Sequence, residues 1–316
     1  MDTYDVVVVG GGPAGLSGGI ALARSRRRVL VVDAGEPRNA PAEGAHNLLG
    51  REGVSPAELL ATGRAELASY GGQVRRGTAI GARRTGEGDF VLTLTEGPEV
   101  AARGLLVTSG LVDELPDVTG LADRWGHDVL HCPFCHGWEV RDRRIGVLSI
   151  GPMTAHQALL FRELSDDVVV LAHTAPPTGQ DRTNLEVSGV RVVDAEVVAV
   201  EGEPGGAMAG ARLADGDLVE LDALVVASRL VASSAVLDDL GLAPVEHPTG
   251  MGSSYPSEMA GGTEVPRLRL AGNVTDLMAQ VGASAAAGVT AGAALHGDLI
   301  QADLAARLAE SARAPA

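Results

Sequence analysis

Two cysteines, the only ones in the chain, stand in the sequence His131-Cys132-Pro133-Phe134-Cys135-His136. Thiols at this spacing form a disulfide reversibly, and in an α/β protein they indicate redox or metal chemistry. A helix is predicted to begin near Cys132 with Pro133 at its first position, so that its N-terminal dipole would favour the thiolate. Either flanking histidine can stabilise thiolate charge or move a proton. Cys132, Cys135 and His136 are therefore the candidate catalytic residues.

Two other interpretations of this motif stay open. Zinc binding by two cysteines and two histidines needs a tetrahedral set of ligands, which one helical segment does not easily supply, so we expect no metal. An inert pair of core cysteines would carry no chemistry at all. The redox interpretation is the one that the rest of the chain favours.

A glycine-rich turn, Gly10-Gly11-Gly12-Pro13-Ala14-Gly15, follows the apolar run of residues 6–9. The first glycine permits a tight turn, the third lets the backbone approach a pyrophosphate, and the last allows close packing of helix on strand. Asp33 ends the next apolar run, where its carboxylate can accept from ribose hydroxyls. The pattern predicts a dinucleotide site, and beside a redox dithiol that dinucleotide is FAD.

A second turn of this kind is degraded. The place of a nicotinamide fingerprint reads Ser149-Ile150-Gly151-Pro152-Met153-Thr154. Pro152 removes a backbone N–H, and Thr154 puts a β-branched side chain where the helix must approach the strand. We therefore expect electrons to enter through sulfur and not from NADPH.

The elements that must position these groups alternate between apolar strands and helices. Predicted strands cover residues 6–9, 29–33, 73–80, 90–96, 105–107, 145–150, 168–171, 190–200, 224–226 and 268–270. Predicted helices cover residues 13–24, 55–70, 153–164 and 280–295, and the glycine-rich stretch at 202–210 is predicted to be a hairpin loop. The strands at 73–80 and 90–96 are expected to form a sheet inserted in the first domain.

This order predicts an α/β fold with two Rossmann-like, three-layer ββα domains, the second inserted in the first. Residues 1–116 and 231–316 would form the FAD-binding domain. Residues 117–230 would form a nicotinamide-type domain that carries Cys132 and Cys135 and has lost its nucleotide motif.

Composition limits the partners. The net charge of −16 disfavours nucleic acid and anionic lipid. No apolar stretch is long enough to cross a membrane, and the acidic start at residues 1–5 is unlike a signal peptide, so we expect a cytoplasmic protein. The chain has no lysine, which excludes Schiff-base chemistry.

Along essentially its whole length the chain resembles the low-molecular-weight thioredoxin reductase family. The matching motifs are Gly10-Gly11-Gly12-Pro13-Ala14-Gly15, Asp33-Ala34-Gly35, His46-Asn47-Leu48-Leu49-Gly50, Thr108-Ser109-Gly110, Cys132-Pro133-Phe134-Cys135 and Ala271-Gly272-Asn273-Val274. The resemblance implies bound FAD, a homodimer, Cys135 as the sulfur that contacts the flavin and Cys132 as the sulfur that exchanges with substrate.

The resemblance also implies a set of cofactor-binding residues. Asn47 matches a flavin-contacting position, and Ala79 would contact the adenine through its backbone. His46 is a candidate for the same pocket, either as a base or as a packing residue. The implied set is Gly10, Gly12, Pro13, Ala14, Gly15, Asp33, Ala34, His46, Asn47, Ala79, Gly110, Gly272, Asn273, Gln280 and Val281.

Several positions depart from the family pattern. His136 replaces an aspartate after the second cysteine, Asn273 replaces an aspartate of the end motif, and the arginine of an Arg-Gln pair has become Ala279 before Gln280. The arginines that would hold the NADPH 2′-phosphate are replaced by Ala172-His173-Thr174. These changes argue against thioredoxin reductase itself.

The stretch Cys132 to Glu139 is similar to that of the gliotoxin and holomycin dithiol oxidases, a branch that forms disulfides in small natural products. The resemblance to this branch implies a small-molecule dithiol as substrate and O2 as electron acceptor. The main alternative is an NAD(P)H-dependent reductase that acts on a thioredoxin-like protein. A redox-sensing flavoprotein and an unrelated flavin oxidation also stay open.

Overall fold

A computed structural model describes residues 1–86, 88–203 and 205–313. Pro204, which falls in the predicted loop at 202–210, and residues 314–316, at the end of the predicted first domain, lie outside the described residues. The chain forms two compact units. The first contains Met1–Ala40, Val54–Val112 and the described residues from Leu230 on, and the second contains Pro41–Gly53 and Asp113–Arg229. The predicted limits assigned residues 41–53 to the first domain, whereas this segment packs with the second unit.

The strands are β1 (Asp2–Val9), β2 (Val29–Asp33), β3 (Gln73–Arg76), β4 (Ala79–Arg84), β5 (Phe90–Leu94), β6 (Val100–Val107), β7 (Val112–Glu114), β8 (Val129–Leu130), β9 (Ile145–Leu148), β10 (Val168–Leu171), β11 (Arg191–Val193), β12 (Val197–Gly202), β13 (Met208–Leu213), β14 (Leu218–Glu220), β15 (Ala223–Val226), β16 (Arg229–Val231), β17 (Val245–Glu246), β18 (Gly252–Ser254) and β19 (Leu268–Leu270). The α-helices are α1 (Pro13–Arg24), α2 (Pro56–Ser69), α3 (Pro133–His136), α4 (Thr154–Arg162), α5 (Gly179–Val187), α6 (Ala235–Asp239) and α7 (Val281–Arg313). Short 3₁₀ turns lie at Ala122–Arg124, Met259–Gly261 and Gly272–Val274.

The main sheet of the first unit has the order β3-β2-β1-β6-β5-β4, with β19 also paired to β6. Strands β3, β2, β1, β6 and β19 run parallel to one another. Strand β5 pairs antiparallel with β6 on one side and with β4 on the other. The expectation of a separate inserted sheet is therefore wrong. Strand β3 continues the parallel sheet because Leu30 pairs with Gln73, and β5 extends the same sheet because Phe90 pairs with Ala102.

Alternating side chains of β1 fill two cores, as expected for a strand that is buried on both faces. Val7 and Val9 pack on the side of β4 and β5, whereas Val6 and Val8 pack under α1, α2 and α7. Helix α1 crosses α7 closely, since a Cβ atom at Gly288 would lie 2.0 Å from the Ala14 carbonyl oxygen. The glycine turn is thus held between the sheet and α7.

Helix α7 extends well past the predicted end at residue 295. The added turns are rich in alanine and leucine, which are strong helix formers. Arg27 also binds this part of the helix, because its guanidinium lies 3.1 Å from Asp303 and its Nε donates to His296 at 3.1 Å. Helix propensity and this ion pair together stabilise the helix beyond Leu299, the last of its buried residues.

The second unit has three layers. A parallel sheet of order β11-β10-β9-β15-β8 lies between an antiparallel sheet, β12-β13-β14, and helices α4 and α5. Val169 and Leu171 face the antiparallel sheet, whereas Val168 and Val170 pack toward the helices. The predicted strand at 190–200 is two strands, β11 and β12, and the predicted hairpin loop at 202–210 joins β12 to the antiparallel β13.

No helix in the described parts of the chain is long and apolar enough to cross a bilayer.

Candidate active site

The glycine turn between β1 and α1 is shaped by close approaches. Gly10 has φ of +101°, and a Cβ atom there would lie 2.4 Å from the Thr108 carbonyl oxygen. A Cβ atom at Gly15 would lie 1.9 Å from the Gly10 carbonyl oxygen, so only glycine fits both positions. At Gly12, in contrast, nothing lies within 4 Å of a Cβ position. The backbone is therefore bare at the residue before α1, where a pyrophosphate would approach.

Two side chains from neighbouring strands hold this turn. Asp33 Oδ1, at the end of β2, accepts from the Gly11 N–H at 3.1 Å. Thr108 Oγ1 donates to the carbonyl oxygens of Val9 and Gly10, both at 2.9 Å. Gly77 N–H donates to the Asp33 carbonyl at 3.0 Å, which brings the start of β4 at Ala79 close to the same strand end.

The end motif meets the glycine turn from the other side. Gly272 has φ of +78°, and a Cβ atom there would lie 2.9 Å from Ala14 Cβ. Asn273 Nδ2 donates to the carbonyl oxygens of Asp276 at 2.9 Å and Ala279 at 3.0 Å. A carboxylate cannot donate these bonds, so the asparagine closes the loop that leads to α7 in a way that the family's aspartate could not.

Most of the predicted cofactor residues belong to the first unit. These are Gly10, Gly12, Pro13, Ala14, Gly15, Asp33, Ala34, Ala79, Gly110, Gly272, Asn273, Gln280 and Val281. A bare helix start, an acceptor at the end of β2 and open space at Gly110 fit the pyrophosphate and ribose of a dinucleotide. The arrangement can hold a dinucleotide, and its identity as FAD stays a prediction.

The dithiol lies in the second unit at the start of α3. Cys132 is the N-cap residue and Pro133 is the first helical residue, as predicted, but α3 ends at His136 after a single turn. The predicted effect of a helix dipole on the sulfurs stays a prediction, and a single turn supplies few peptide dipoles to it. A Cβ atom at Gly137 would lie 2.3 Å from the Pro133 carbonyl oxygen and 2.5 Å from Leu164 Cδ1, so only glycine fits where the chain leaves the helix.

Two aromatic side chains beside the cysteines point to solvent. Phe134 is 62% exposed and Trp138 is 64% exposed, whereas both cysteines are half-buried. Arg141 holds Trp138 in place, since its guanidinium stacks 4.0 Å from the ring centroid and donates to the Trp138 carbonyl at 2.7 Å. The dithiol therefore lies next to an exposed apolar surface.

The segment of residues 41–53 contacts this motif directly. Asn47 Nδ2 donates to the Phe134 carbonyl oxygen at 2.7 Å. Glu52 accepts from the Asn47 N–H at 2.9 Å and lies 2.7 Å from His46 Nδ1. Gly53 N–H closes the segment by donating to the Ala45 carbonyl at 3.0 Å. His46 and Asn47, which were predicted to bind the cofactor, thus contact residues around the dithiol, and their contact with FAD stays a prediction.

The charges around the cysteines act on two imidazoles. Glu139 Oε1 lies 3.6 Å from His46 Nε2. Burial lowers the pKa of His136, while the nearby Glu139 carboxylate raises it and His46 lowers it. The hydrogen bond with His46 lowers the pKa of Glu52. Burial therefore favours the neutral form of His136, which can accept a proton.

His131, before the first cysteine, is bonded to a different part of the unit. Its Nδ1 lies 3.2 Å from the Val226 carbonyl oxygen at the end of β15. Gln157 Nε2, on α4, donates to the His131 carbonyl at 3.1 Å. These contacts anchor the strand end that carries Cys132.

The degraded turn between β9 and α4 uses its two hydroxyls to bind backbone carbonyls. Ser149 is fully buried, and its hydroxyl donates to the Ala175 carbonyl and lies 3.1 Å from Thr154 Oγ1. Thr154 Oγ1 donates to the Gly151 carbonyl at 2.9 Å. The hydroxyls that replace two glycines therefore bind backbone carbonyls, Thr154 within the turn and Ser149 at Ala175 after the next strand.

The end of the next strand also lacks a cation for a phosphate. Ala172 is buried, and His173 Nδ1 accepts from the Val197 N–H at 3.2 Å. Burial lowers the pKa of His173, which favours its neutral form. Neither residue presents a positive charge where the family holds the 2′-phosphate.

Sequence reasoning missed Glu52 and Arg141. Glu52 lies in a loop between glycines with φ of +81° at Gly50 and +72° at Gly53, and no spacing rule relates such a loop to a dithiol far along the chain. Arg141 does carry a signal, because it follows Trp138 by three residues, the distance at which side chains on one turn meet.

A sequence model of the pyridine nucleotide-disulphide oxidoreductase family matches residues 4–288. The chain belongs to this family. Its thioredoxin-reductase-like members typically bind FAD. The predicted α/β fold with two Rossmann-like domains and the predicted family are both confirmed.

Several members of the family are similar in sequence. Thioredoxin reductase sirT of Leptosphaeria maculans is 29% identical over 327 residues, which cover 96% of this chain and 97% of that protein. Thioredoxin reductase aclD of Aspergillus oryzae is 30% identical over 236 residues, or 72% and 75% of the two chains. Thioredoxin reductase tcpT of Claviceps purpurea is 36% identical over 152 residues, but the match spans only 47% of each chain.

Solved structures of the family superpose over nearly the whole chain. The crystal structure of HlmI has a TM-score of 0.92 and 38% identity, and covers 98% of this chain and 97% of HlmI. An oxidoreductase from Agrobacterium tumefaciens has a TM-score of 0.87 and 31% identity, and covers 95% and 99% of the two chains.

Proposed function

We propose that this family member is an FAD-dependent dithiol oxidase. It forms an intramolecular disulfide in a small-molecule dithiol of the natural-product type, with O2 as the electron acceptor. Cys132 and Cys135 form the redox pair. The first unit would hold FAD through the bare backbone at Gly12, the Asp33 carboxylate and the end motif at Gly272.

One observation carries this proposal. The dithiol is kept, but the hydroxyls of the turn at residues 149–154 bind the backbone carbonyls of Gly151 and Ala175, and Ala172 and His173 stand where a phosphate needs cations. A reductase of this family draws electrons from a nicotinamide nucleotide, and a weakened site for that nucleotide supports a thiol as the electron source. In contrast, the glycine turn, Asp33 and the end motif of the first unit still suit FAD.

The residues around the dithiol support a balanced thiol–disulfide exchange. One substrate thiol loses its proton to His136 and attacks Cys132 Sγ, which breaks the Cys132–Cys135 bond and releases the Cys135 sulfur. The second substrate thiol then loses its proton and attacks the substrate sulfur, which closes the substrate disulfide and releases Cys132. The substrate loses two electrons and two protons, and the cysteine pair gains them. Bound FAD would supply transfer of this electron pair to O2, giving hydrogen peroxide.

The surface beside the dithiol supports a substrate with an apolar body. Phe134 and Trp138 are exposed there, and Leu49, two residues after Asn47, is exposed as well. Aromatic faces of this kind contact flat or compact apolar molecules well. In this proposal Cys132 exchanges with substrate, and Cys135 is the sulfur that reacts with the flavin.

The proposal extends to assembly and location. It places the enzyme in the cytoplasm as a homodimer, with a small dithiol and O2 as partners and neither nucleic acid nor a membrane among them. The competing function is reduction of a thioredoxin-like protein with NADPH, which the names of the sirT and aclD relatives favour.

The deciding experiment follows flavin absorbance in the purified holoenzyme. The enzyme is mixed anaerobically with dithiothreitol or with NADPH and then exposed to air. We expect dithiol alone to bleach the flavin, and air to restore it with release of one peroxide per flavin. Rapid bleaching by NADPH with slow bleaching by dithiol would instead assign the reductase function.

A further inference from the structure

Glu52 makes two hydrogen bonds that fix one imidazole beside the dithiol. Its Oε1 lies 2.7 Å from His46 Nδ1, and its Oε2 accepts from the Asn47 N–H at 2.9 Å. A carboxylate can only accept, so the Nδ1 atom of His46 must carry a proton. In the neutral imidazole the other nitrogen, Nε2, is then the basic one.

The basic nitrogen of His46 faces a second carboxylate. Glu139 Oε1 lies 3.6 Å from His46 Nε2, and the same carboxylate acts on His136. A negative charge at this distance stabilises an imidazolium once Nε2 has taken a proton. Glu52, Glu139 and His136 are the titratable groups shown to interact with His46.

We propose that Glu52 is a positioning residue that sets the tautomer of His46, so that His46 Nε2 accepts a proton from the substrate dithiol. This inference rests on the proposed function and deepens it. Disulfide formation releases two protons from the substrate, and the site offers two imidazoles to take them. His136, next to Cys135, takes one, and His46, held by Glu52, takes the other.

The tie between the segment 41–53 and the dithiol supports this division. Asn47 donates to the Phe134 carbonyl oxygen at 2.7 Å, so the residue after His46 is bonded to the turn between the two cysteines. Asn47 has φ of +58°, a left-handed conformation that non-glycine residues adopt rarely. Glu52 supports that conformation through the Asn47 N–H, which places the imidazole and the cysteine turn in one bonded group.

The direct test is the tautomer itself, measured by side-chain ¹⁵N NMR of the holoenzyme. The chain has 8 histidines, and the His46→Asn variant identifies the signals of His46. We expect wild-type His46 to carry its proton on Nδ1, and the Glu52→Gln variant to lose this preference, because an amide can donate as well as accept. A wild-type proton on Nε2 would overturn the proposal.

The kinetic test measures the anaerobic rate of flavin bleaching by dithiothreitol. We expect about a 100-fold loss for His46→Asn and about a tenfold loss for Glu52→Gln. Glu52→Asp should recover most of the rate. The double variant should be no slower than His46→Asn alone, since both changes remove one function.

The matched control is Glu43→Gln, which removes an exposed carboxylate from the same segment. Its rate and its tautomer signals should equal those of the wild type. Equal behaviour of Glu52→Gln and Glu43→Gln in both measurements would overturn the proposal. If the wild-type flavin is not bleached by any dithiol, the oxidase function fails, while the NMR measurement still decides whether Glu52 sets the tautomer.

Discussion

The turns before α1 and α4 occupy the same place in two Rossmann-type units, but their hydroxyl groups act differently. Before α1 the hydroxyl of Thr108, on a neighbouring strand, binds the turn from outside at 2.9 Å, and the turn itself is glycine. Before α4 the hydroxyls of Ser149 and Thr154 belong to the turn itself and bind the backbone carbonyls of Ala175 and Gly151. The first arrangement leaves the helix start bare, and the second covers part of it with side chains.

This difference shows how one chain can keep the Rossmann-type fold in both units while only one of the two turns stays suited to a dinucleotide. Packing of strand, turn and helix needs only a satisfied backbone, which either glycine or a bonded hydroxyl supplies. Binding a pyrophosphate needs backbone N–H groups that no side chain shields. We therefore expect changes in the first turn to affect FAD, and changes in the second to affect pyridine nucleotide.

The largest effect should come from a side chain at Gly15. In Gly15→Ala the new Cβ would lie 1.9 Å from the Gly10 carbonyl and 2.6 Å from Thr108 Oγ1, both in the packed turn. We expect a loss of about 3 kcal/mol or more in the free energy of unfolding and little bound FAD. Thermal melting and the ratio of flavin to protein absorbance measure this.

Gly12→Ala is the matched variant, because its Cβ position is open and its φ of −75° suits alanine. The protein stripped of FAD should melt like the wild type, while its FAD affinity falls. Equal melting temperatures for the two apo variants would contradict the proposed division between packing and binding.

A smaller effect, in the opposite direction, should follow from rebuilding the second turn. In the triple variant Ser149→Gly, Thr154→Gly and Thr174→Arg, the turn loses its hydroxyls and the exposed Thr174 position gains a cation. We expect NADPH to bleach the flavin about tenfold faster than in the wild type, since a charged hydrogen bond contributes about 1.5–3 kcal/mol. Stopped-flow absorbance measures the rate.

NADH is the internal control, because it lacks the 2′-phosphate that the arginine would bind. The double glycine variant without the arginine should gain equally for both nucleotides. If the triple variant gains nothing over the wild type with NADPH, the two hydroxyls and the missing cation are not what weakens this site.

The sequence predicted best what neighbouring residues decide. Helix α2 begins as expected, with Ser55 accepting from the Glu58 N–H at 3.1 Å, because a cap and its partner are three residues apart. The glycine turn, α1 and β2 lie at the predicted residues, because neighbouring residues also decide these elements. The proline that starts α3 was also found, but nothing in Pro133 specifies that the helix ends one turn later.

Contacts between distant segments were beyond sequence reasoning. The bond from Asn47 to Phe134 joins positions 87 residues apart, and it draws the segment 41–53 into the second unit. His46 was therefore assigned to the flavin pocket by resemblance, although its observed partners are Glu52 and Glu139. A loop residue's partner depends on how the whole chain packs, which no local spacing records.

A moderate effect should come from the charge beside His136. Burial lowers the pKa of His136, and the Glu139 carboxylate opposes that shift. In Glu139→Gln the opposing charge is gone, so the imidazole stays neutral to lower pH. We expect the acid limb of dithiol-driven bleaching to move to lower pH, with a change of less than about tenfold in the plateau rate. The control is Ser149→Ala, which alters the degraded turn, and its acid limb should not move. A shift of the acid limb to higher pH in Glu139→Gln would contradict the role of His136 as base.

The smallest effect should fall on substrate affinity alone. Trp138 is 64% exposed and held by the Arg141 guanidinium at 4.0 Å, so it offers one free face beside the dithiol. We expect Trp138→Ala to raise the KM for an aromatic dithiol about fivefold, since such a contact contributes about 1 kcal/mol, and to leave kcat within twofold. The matched control is Tyr70→Ala in the first unit, where Tyr70 is 49% exposed and stacked on Arg24 at 5.4 Å. Because both variants remove an exposed ring over an arginine, an equal rise in KM would assign the effect to general surface apolarity, whereas a rise in Trp138→Ala alone would locate substrate binding at the dithiol.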